Sequence, residues 1–189
     1  MTDLTIVAFA GSLRRASFNR GLIRAAVAAA PPGSLIEVID LRPIPMFDQD
    51  LEDLGEPPAV AAFKQAIALA DALLVATPEY NHGVPGLLKN ALDWASRPRA
   101  SSPLMDKPVA IMGASSGRGS TARAQAQLRE AFVFTGACVM PQPEVLVGSA
   151  ASLFDDDGDL TDAGTRASIA QLVEALLAWT DRLRLQPAA

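Results

Sequence analysis

The sequence lacks the features of several common protein classes. It has no apolar run near the roughly 20 residues that a membrane helix needs, and no basic segment followed by a long apolar stretch at its start, so we expect a cytoplasmic protein outside the membrane. Its net charge of -5 and pI near 4.8 argue against a broad nucleic-acid surface. The single cysteine, Cys138, cannot form an internal disulfide and is predicted to be a buried structural thiol.

A metal site is also not predicted. The acidic run Asp155–Asp159 is the one segment that suggests calcium. An EF-hand loop has a glycine directly after its third acidic ligand and a glutamate six residues further on, and both are missing here. We interpret this run as a solvated turn that leads into the last helix, which Thr161 would cap after a hydrophobic staple at Leu160.

Strand-like and helix-like segments alternate along the chain. The predicted strands are short apolar runs: Thr5–Ala10, Leu35–Ile39, Ala72–Ala76, Pro108–Gly113 and, as alternatives for the fifth, Ala137–Met140 or Val145–Val147. Segments with helical spacing of apolar residues separate them. Half of the 189 residues are hydrophobic, enough for one well-filled core. The pattern predicts a single α/β domain over residues 1–189, with a doubly wound parallel sheet covered by helices on both faces.

The first loop, Gly11–Arg20, follows the first strand and leads into a helix. It offers backbone N–H groups, hydroxyls and an arginine at the positive end of a helix, which is typical of an anion site. It contains no lysine, so it is not the phosphate-binding loop of the nucleoside triphosphatases, and it fits a terminal monophosphate. The alternative is an ordinary helix cap at Ser17 or Asn19.

Two further loops should face the same pocket. The second loop, Thr77–Gly86, follows the third strand, and the third loop, Gly113–Ser120, is rich in small residues and follows the fourth. In a sheet of order 2-1-3-4-5, ligands bind where the strand order reverses, between the first and third strands. Hydrogen bonds with a charged group contribute roughly 1.5 to 3 kcal/mol each, whereas micromolar binding requires about 8 kcal/mol. A phosphate alone therefore binds too weakly, and we expect a ligand that also carries a flat ring against the second loop.

The segments GSLRRASFNR, TPEYNHGVPGLLKNALDW and SSGRG together resemble the NADPH-dependent FMN reductase family, a flavodoxin-like group that includes chromate and quinone reductases. The resemblance covers the chain from about Thr5 into the fifth strand. It implies a five-stranded parallel sheet of order 2-1-3-4-5 and bound FMN. The residues that it implies at the FMN are Ser12, Leu13, Arg14, Ser17, Phe18 and Asn19 at the phosphate, Pro78, Glu79, Tyr80 and Asn81 along the isoalloxazine ring, and Ser115 with Ser116 at its pyrimidine edge.

The resemblance also implies the reaction. NADPH or NADH would reduce the bound FMN, which would then reduce a quinone, an azo compound, a metal oxyanion or free flavin, with no catalytic side chain required. The alternative is a flavodoxin-type electron carrier that does not oxidise a nicotinamide. Arg15 and Arg118 are candidate partners for the 2′-phosphate of NADPH. A homodimer or homotetramer is implied, with the helix Leu87–Ser96 as the candidate interface and Trp94 either at that surface or in the core.

Overall fold

The computed structural model describes residues 4–185 and contains the predicted alternation of strands and helices. The strands are β1 (Leu4–Ala10), β2 (Ser34–Ile39), β3 (Ala72–Ala76), β4 (Pro108–Ala114), β5 (Cys138–Val139) and β6 (Val145–Val147). The helices are α1 (Phe18–Ala29), α2 (Gln49–Asp53), α3 (Pro58–Leu69), α4 (Gly86–Ala95), α5 (Ala122–Thr135) and α6 (Ala163–Arg184). Short 3₁₀ turns lie at Arg99–Ser101 and Ala150–Ser152.

All strand pairs of the sheet are parallel, and the order β2-β1-β3-β4-β5 confirms the flavodoxin-like prediction. The fifth position is divided between two short strands, since β5 and β6 both pair with β4. Pro141 and Pro143 separate them, and proline has no backbone N–H to donate to a neighbouring strand. Both of the alternative fifth strands are therefore present, one after the other.

Helices cover both faces of the sheet, as predicted. On one face, α1 and α6 pack on the sheet through a core that includes Leu22, Ile23, Ile169 and Leu172. On the other face, α3, α4 and α5 supply a second core. Trp94 is only 1% exposed and belongs to that second core, so it is not part of the surface of α4.

Two local predictions need correction. The cap of α6 is Asp162 and not Thr161, because the Asp162 carboxylate accepts hydrogen bonds from the backbone N–H of Thr165 at 2.7 Å and from its hydroxyl. Cys138 is half-buried and not fully buried. Burial, together with nearby Asp106, raises the pKa of its thiol, which keeps the thiol protonated and unreactive. No helix within residues 4–185 is long and apolar enough to cross a membrane.

Candidate functional site

The three loops meet around one cavity at the carboxyl ends of β1, β3 and β4. Its volume is about 440 Å³. The lining residues are Ser12, Arg14, Ser17, Phe18 and Asn19 from the first loop, Pro78, Glu79 and Tyr80 from the second, and Ala114, Ser115 and Ser116 at the start of the third. Ten of the twelve site residues expected from the sequence are therefore brought together.

The first loop presents unpaired backbone donors. The Ser17 hydroxyl caps α1 by accepting the backbone N–H of Arg20 at 3.4 Å. Within residues 4–185, no group accepts the backbone N–H of Ser17, Phe18 or Asn19. Free N–H groups at the start of a helix carry a partial positive charge and bind anions. The cap and the anion site are thus compatible, and the same turn of the chain provides both.

Arg14 adds a full positive charge to this region. Its guanidinium carbon lies 4.5 Å from the centre of the Phe18 ring, and the side chain is exposed at the edge of the cavity. Phe18 in turn contacts Phe154, with 4.8 Å between the ring centres. The contact with Phe154 supports the Phe18 ring, and the Arg14 guanidinium packs on that ring through a cation–π interaction.

Asn19 connects the first loop to the end of β4. Its side-chain Nδ2 donates to the Ala114 carbonyl at 2.9 Å, and its Oδ1 accepts the Ala114 N–H at 2.9 Å. The residue is 2% exposed. Because both halves of the amide bind Ala114, this side chain fixes the separation between the first and third loops.

The second loop contains a tight hairpin turn that places Tyr80 at the cavity. Tyr80 and Gly83 exchange two backbone hydrogen bonds, of 3.1 and 3.0 Å. Asn81 and His82 between them have φ values of 50° and 63°, as a type I′ turn requires. Asn is well suited to this left-handed conformation. The Tyr80 hydroxyl donates to Ser12 Oγ at 3.3 Å and so joins the second loop to the first.

Helix α5 holds the second loop from below. The Glu79 carboxylate accepts the backbone N–H groups of Arg123 at 3.0 Å and Ala124 at 3.1 Å, and it pairs with the Arg123 guanidinium. Gln127 donates to the His82 carbonyl and accepts the Val84 N–H. The local sequence pattern gives no sign of Arg123 or Gln127, because nothing in it links α5 to Glu79, which lies 44 positions before Arg123.

Glu79 should make the stability of the fold depend on pH in the acid range. Burial raises the pKa of its carboxyl, but hydrogen bonds from the Ala124 and Arg123 N–H groups and the Arg123 guanidinium outweigh burial, so that the pKa lies below its ordinary value. The contribution of Glu79 to the stability of the fold is therefore fully present at pH values above the ordinary pKa of a glutamate. It is lost as the pH falls through the lower pKa that Glu79 has in the folded state. We expect Glu79→Gln to cost about 1 kcal/mol at neutral pH, with the difference from wild type vanishing in acid. Urea unfolding of both proteins across the acid range measures this, and a constant difference would contradict it.

The third loop brings backbone close to the cavity. The Ser115 N–H donates to Val147 at 3.0 Å, and its Oγ accepts the Gly117 N–H at 3.2 Å, while Ser116 is exposed. At Gly113 a Cβ atom would lie 2.4 Å from the Thr77 carbonyl oxygen, so only glycine allows the second and third loops to approach this closely.

Leu13 and Asn81 are the two expected site residues that do not line the cavity. Leu13 is 46% exposed and borders a neighbouring cavity, and Asn81 is exposed at the tip of the hairpin turn. His82 is also exposed there. No group of three or more His, Cys, Asp and Glu side chains in the part of the chain that the structure describes is arranged to hold a metal ion.

Comparison with known proteins places this chain in a family. The sequence profile of the NADPH-dependent FMN reductases matches residues 4–152. The chain belongs to this family. It is 47% identical over 182 residues to an NAD(P)H-dependent FMN reductase from Pseudomonas aeruginosa, covering 96% of this chain and 98% of the relative. It is 42% identical to a 2-hydroxy-1,4-benzoquinone reductase from a Burkholderia species, covering 93% and 96%.

A solved structure supports the same assignment for this FMN reductase family member. The flavoenzyme FerB, an NAD(P)H:(acceptor) oxidoreductase from Paracoccus denitrificans, is 32% identical, with a TM-score of 0.86 over 95% of this chain and 98% of FerB. The family assignment made from the sequence is thus confirmed. The protein is an NAD(P)H-dependent flavin oxidoreductase that uses FMN, and the comparisons favour this enzyme over the alternative of a plain electron carrier.

Proposed function

We propose that the cavity formed by the three loops holds FMN, with the phosphate at the first loop and the isoalloxazine ring against the second. The observation that carries this proposal is the convergence of ten expected residues on one cavity of about 440 Å³. Cofactor sites of this kind have volumes of roughly 300 to 1,000 Å³.

The residues fit the group. A phosphate monoester carries up to two negative charges, and the first loop offers free N–H groups at Ser17, Phe18 and Asn19 together with the Arg14 guanidinium. Pro78 and Tyr80 supply the apolar surface that a flat ring requires. Ser115 and Ser116 would lie at the polar edge of the ring.

When bound, FMN would supply the redox chemistry that moves electrons from a nicotinamide to an acceptor. The residues of this chain would bind FMN and position it. Glu79 and Gln127 fix the second loop on α5, and the Tyr80–Ser12 hydrogen bond fixes it to the first loop. Because both α5 and the first loop fix the second loop, the site can keep the reacting groups close together and correctly oriented without a catalytic acid or base.

We infer a quinone as the acceptor. The relatives named as quinone reductases support this class, since they match the chain over nearly all of its length. Tyr80 is 53% exposed and His82 is exposed, so the rim of the cavity is open to a flat second substrate. Azo compounds, metal oxyanions and free flavin remain competing acceptors, and steady-state kinetics with a panel of the four classes would rank them.

Three further features belong to this proposal. The chain is proposed to act in the cytoplasm, to form one domain, and to assemble as a homodimer or homotetramer. A sheet with helices on both faces supports the single domain. Since Trp94 lies in the core, an interface on α4 would use its exposed polar face, which includes Lys89.

Arg14 provides the direct test of the phosphate site. We expect Arg14→Gln to weaken FMN binding about 10- to 100-fold, because one charge-assisted interaction with the phosphate is lost. Quenching of FMN fluorescence on titration with apoprotein measures the affinity. The matched control is Arg15→Gln, because Arg15 is exposed and lies 3.6 Å from Asp157, away from the lining residues. Equal weakening by both substitutions would contradict the proposed phosphate site.

The reaction itself is tested on the wild-type holoenzyme. NADPH added without oxygen should bleach the flavin absorbance, and a quinone added afterwards should restore it. A protein that binds FMN but is not bleached by NADPH or NADH would contradict the proposed turnover.

A further inference from the structure

A second cavity lies on the other side of the first loop, at the carboxyl ends of β1 and β2. Its volume is about 320 Å³. Apolar side chains form most of its wall, and three charged residues border it: Ile23, Val38, Ile39 and Leu41, with Arg20, Arg24 and Asp40. Ser12 lines both this cavity and the proposed FMN cavity, so the two adjoin across the first loop.

The charges of this cavity do not cancel. Asp40 is compensated by Arg42, whose guanidinium lies 2.9 Å from its carboxylate. Arg24 is paired with Asp159 and donates to the Gly158 carbonyl at 2.8 Å. Arg20 makes no ion pair or side-chain hydrogen bond with any residue in the range 4–185. One half-buried guanidinium is thus left to attract an anion into an otherwise apolar cavity.

Asp40 and Arg42 connect the end of β2 to the first loop. The Asp40 carboxylate accepts both the backbone N–H of Arg42 at 3.0 Å and its guanidinium, and the same guanidinium donates to the Leu13 carbonyl at 3.3 Å. In open α/β sheets, an acidic residue on a dinucleotide site binds a ribose hydroxyl, whereas an arginine accommodates a 2′-phosphate. Here the acid is already neutralised by Arg42, and the free charge is an arginine.

The co-substrate of the reaction has a shape that requires such a place. A nicotinamide dinucleotide must bring its nicotinamide to the flavin ring, while its adenosine half binds some distance away. The second cavity adjoins the FMN cavity, has an apolar wall for an adenine and carries one cation for a phosphate.

We propose that this second cavity binds the adenosine half of the nicotinamide co-substrate, and that Arg20 recognises the 2′-phosphate of NADPH and sets a preference over NADH. The inference rests on the proposed function, since it presumes that FMN occupies the adjoining cavity.

The test compares two co-substrates, NADPH and NADH, and two adenosine phosphates as probes on the FMN-loaded enzyme. We expect Arg20→Gln to raise the KM for NADPH about tenfold or more, with the KM for NADH changed less than about twofold. Calorimetric titration with adenosine 2′,5′-bisphosphate should show the same tenfold weakening, whereas the affinity for adenosine 5′-monophosphate should stay the same. Val38→Trp places bulk at the 58% exposed rim of the cavity and should weaken binding of both probes.

The matched control removes two other charges. Arg15→Gln combined with Arg118→Gln changes residues that are exposed and lie outside this cavity. The proposal would be overturned if this double variant changed the ratio of the KM values for NADPH and NADH while Arg20→Gln left that ratio unchanged. The 2′-phosphate would then be assigned to Arg15 or Arg118. Unchanged binding of the bisphosphate in both Arg20→Gln and Val38→Trp would also overturn the proposal while leaving FMN reduction intact. Failure of the wild type to bind FMN would instead overturn the proposed function, and this inference with it.

Discussion

Replacement of Asn19 by aspartate is expected to destabilise the fold by about 3 kcal/mol at neutral pH and to weaken FMN binding severely. Asn19 is 2% exposed and makes two hydrogen bonds of 2.9 Å with the backbone of Ala114. Aspartate can still accept the Ala114 N–H. It cannot donate to the Ala114 carbonyl, and a buried carboxylate then faces that oxygen without a partner.

The loss should depend on pH in a defined direction. Burial against a carbonyl oxygen raises the folded-state pKa of the introduced carboxyl above its unfolded value. The free N–H groups at the start of α1 act in the opposite direction, but the side chain at position 19 bonds Ala114 and not these groups. The folded variant then binds a proton more tightly than the unfolded chain does, so its stability increases as the pH falls through that raised value. A protonated aspartic acid also regains a donor for the Ala114 carbonyl. The difference from wild type should thus be larger at about pH 7 than at about pH 5.

Urea unfolding at both pH values measures this difference, and FMN fluorescence reports the site. Asn81→Asp is the matched control, because it makes the same chemical change at an exposed residue with a φ of 50°, a conformation that Asp tolerates. The control should shift stability by less than about 0.5 kcal/mol. If the two variants lose the same stability and the same FMN affinity, the hydrogen bonds between Asn19 and Ala114 do not support the site.

The strands and the three loops of the site are the parts of this structure that could be predicted from the sequence. The apolar runs predict the strands because a parallel sheet buries both faces, and β3 and β4 are buried along their whole length. The three loops were predicted because the carboxyl ends of such strands share one edge. Local composition was enough for both steps.

The partners of the loop side chains could not be predicted in the same way. Asn19 binds a residue 95 positions away, and Glu79 binds the start of a helix 44 positions away. Hydrogen bonds of this range depend on how helices sit on the sheet, which apolar periodicity leaves undetermined. The prediction that Thr161 caps α6 is wrong for a related reason. The Thr161 hydroxyl donates to the Leu153 carbonyl and not to the start of the helix.

Gly21 is a second position where tertiary packing reverses a local rule. It lies inside α1, where alanine normally stabilises a helix by about 1 kcal/mol relative to glycine. Here a Cβ atom would lie 2.1 Å from the Gly158 carbonyl oxygen and 3.0 Å from the Phe154 ring. Gly158 itself packs on the first loop, since its own Cβ position is 2.7 Å from the Ala16 carbonyl carbon. A methyl group at Gly21 would therefore push the acidic turn against the first loop.

We expect Gly21→Ala to lower the free energy of unfolding by about 2 to 3 kcal/mol and to weaken FMN binding, because the overpacked turn displaces the first loop. Gly86→Ala is the matched control: Gly86 begins α4, and no atom other than those of its chain neighbours and the backbone of its own helix lies within 4 Å of its Cβ position. That substitution should leave stability unchanged or raise it by up to about 1 kcal/mol. Chemical unfolding of the two variants gives the comparison, and FMN titration gives the effect on the site. Opposite signs for the same substitution in two helices would show that the turn at Gly158 supports the first loop, whereas equal stabilisation would mean that α1 and this turn do not pack as described.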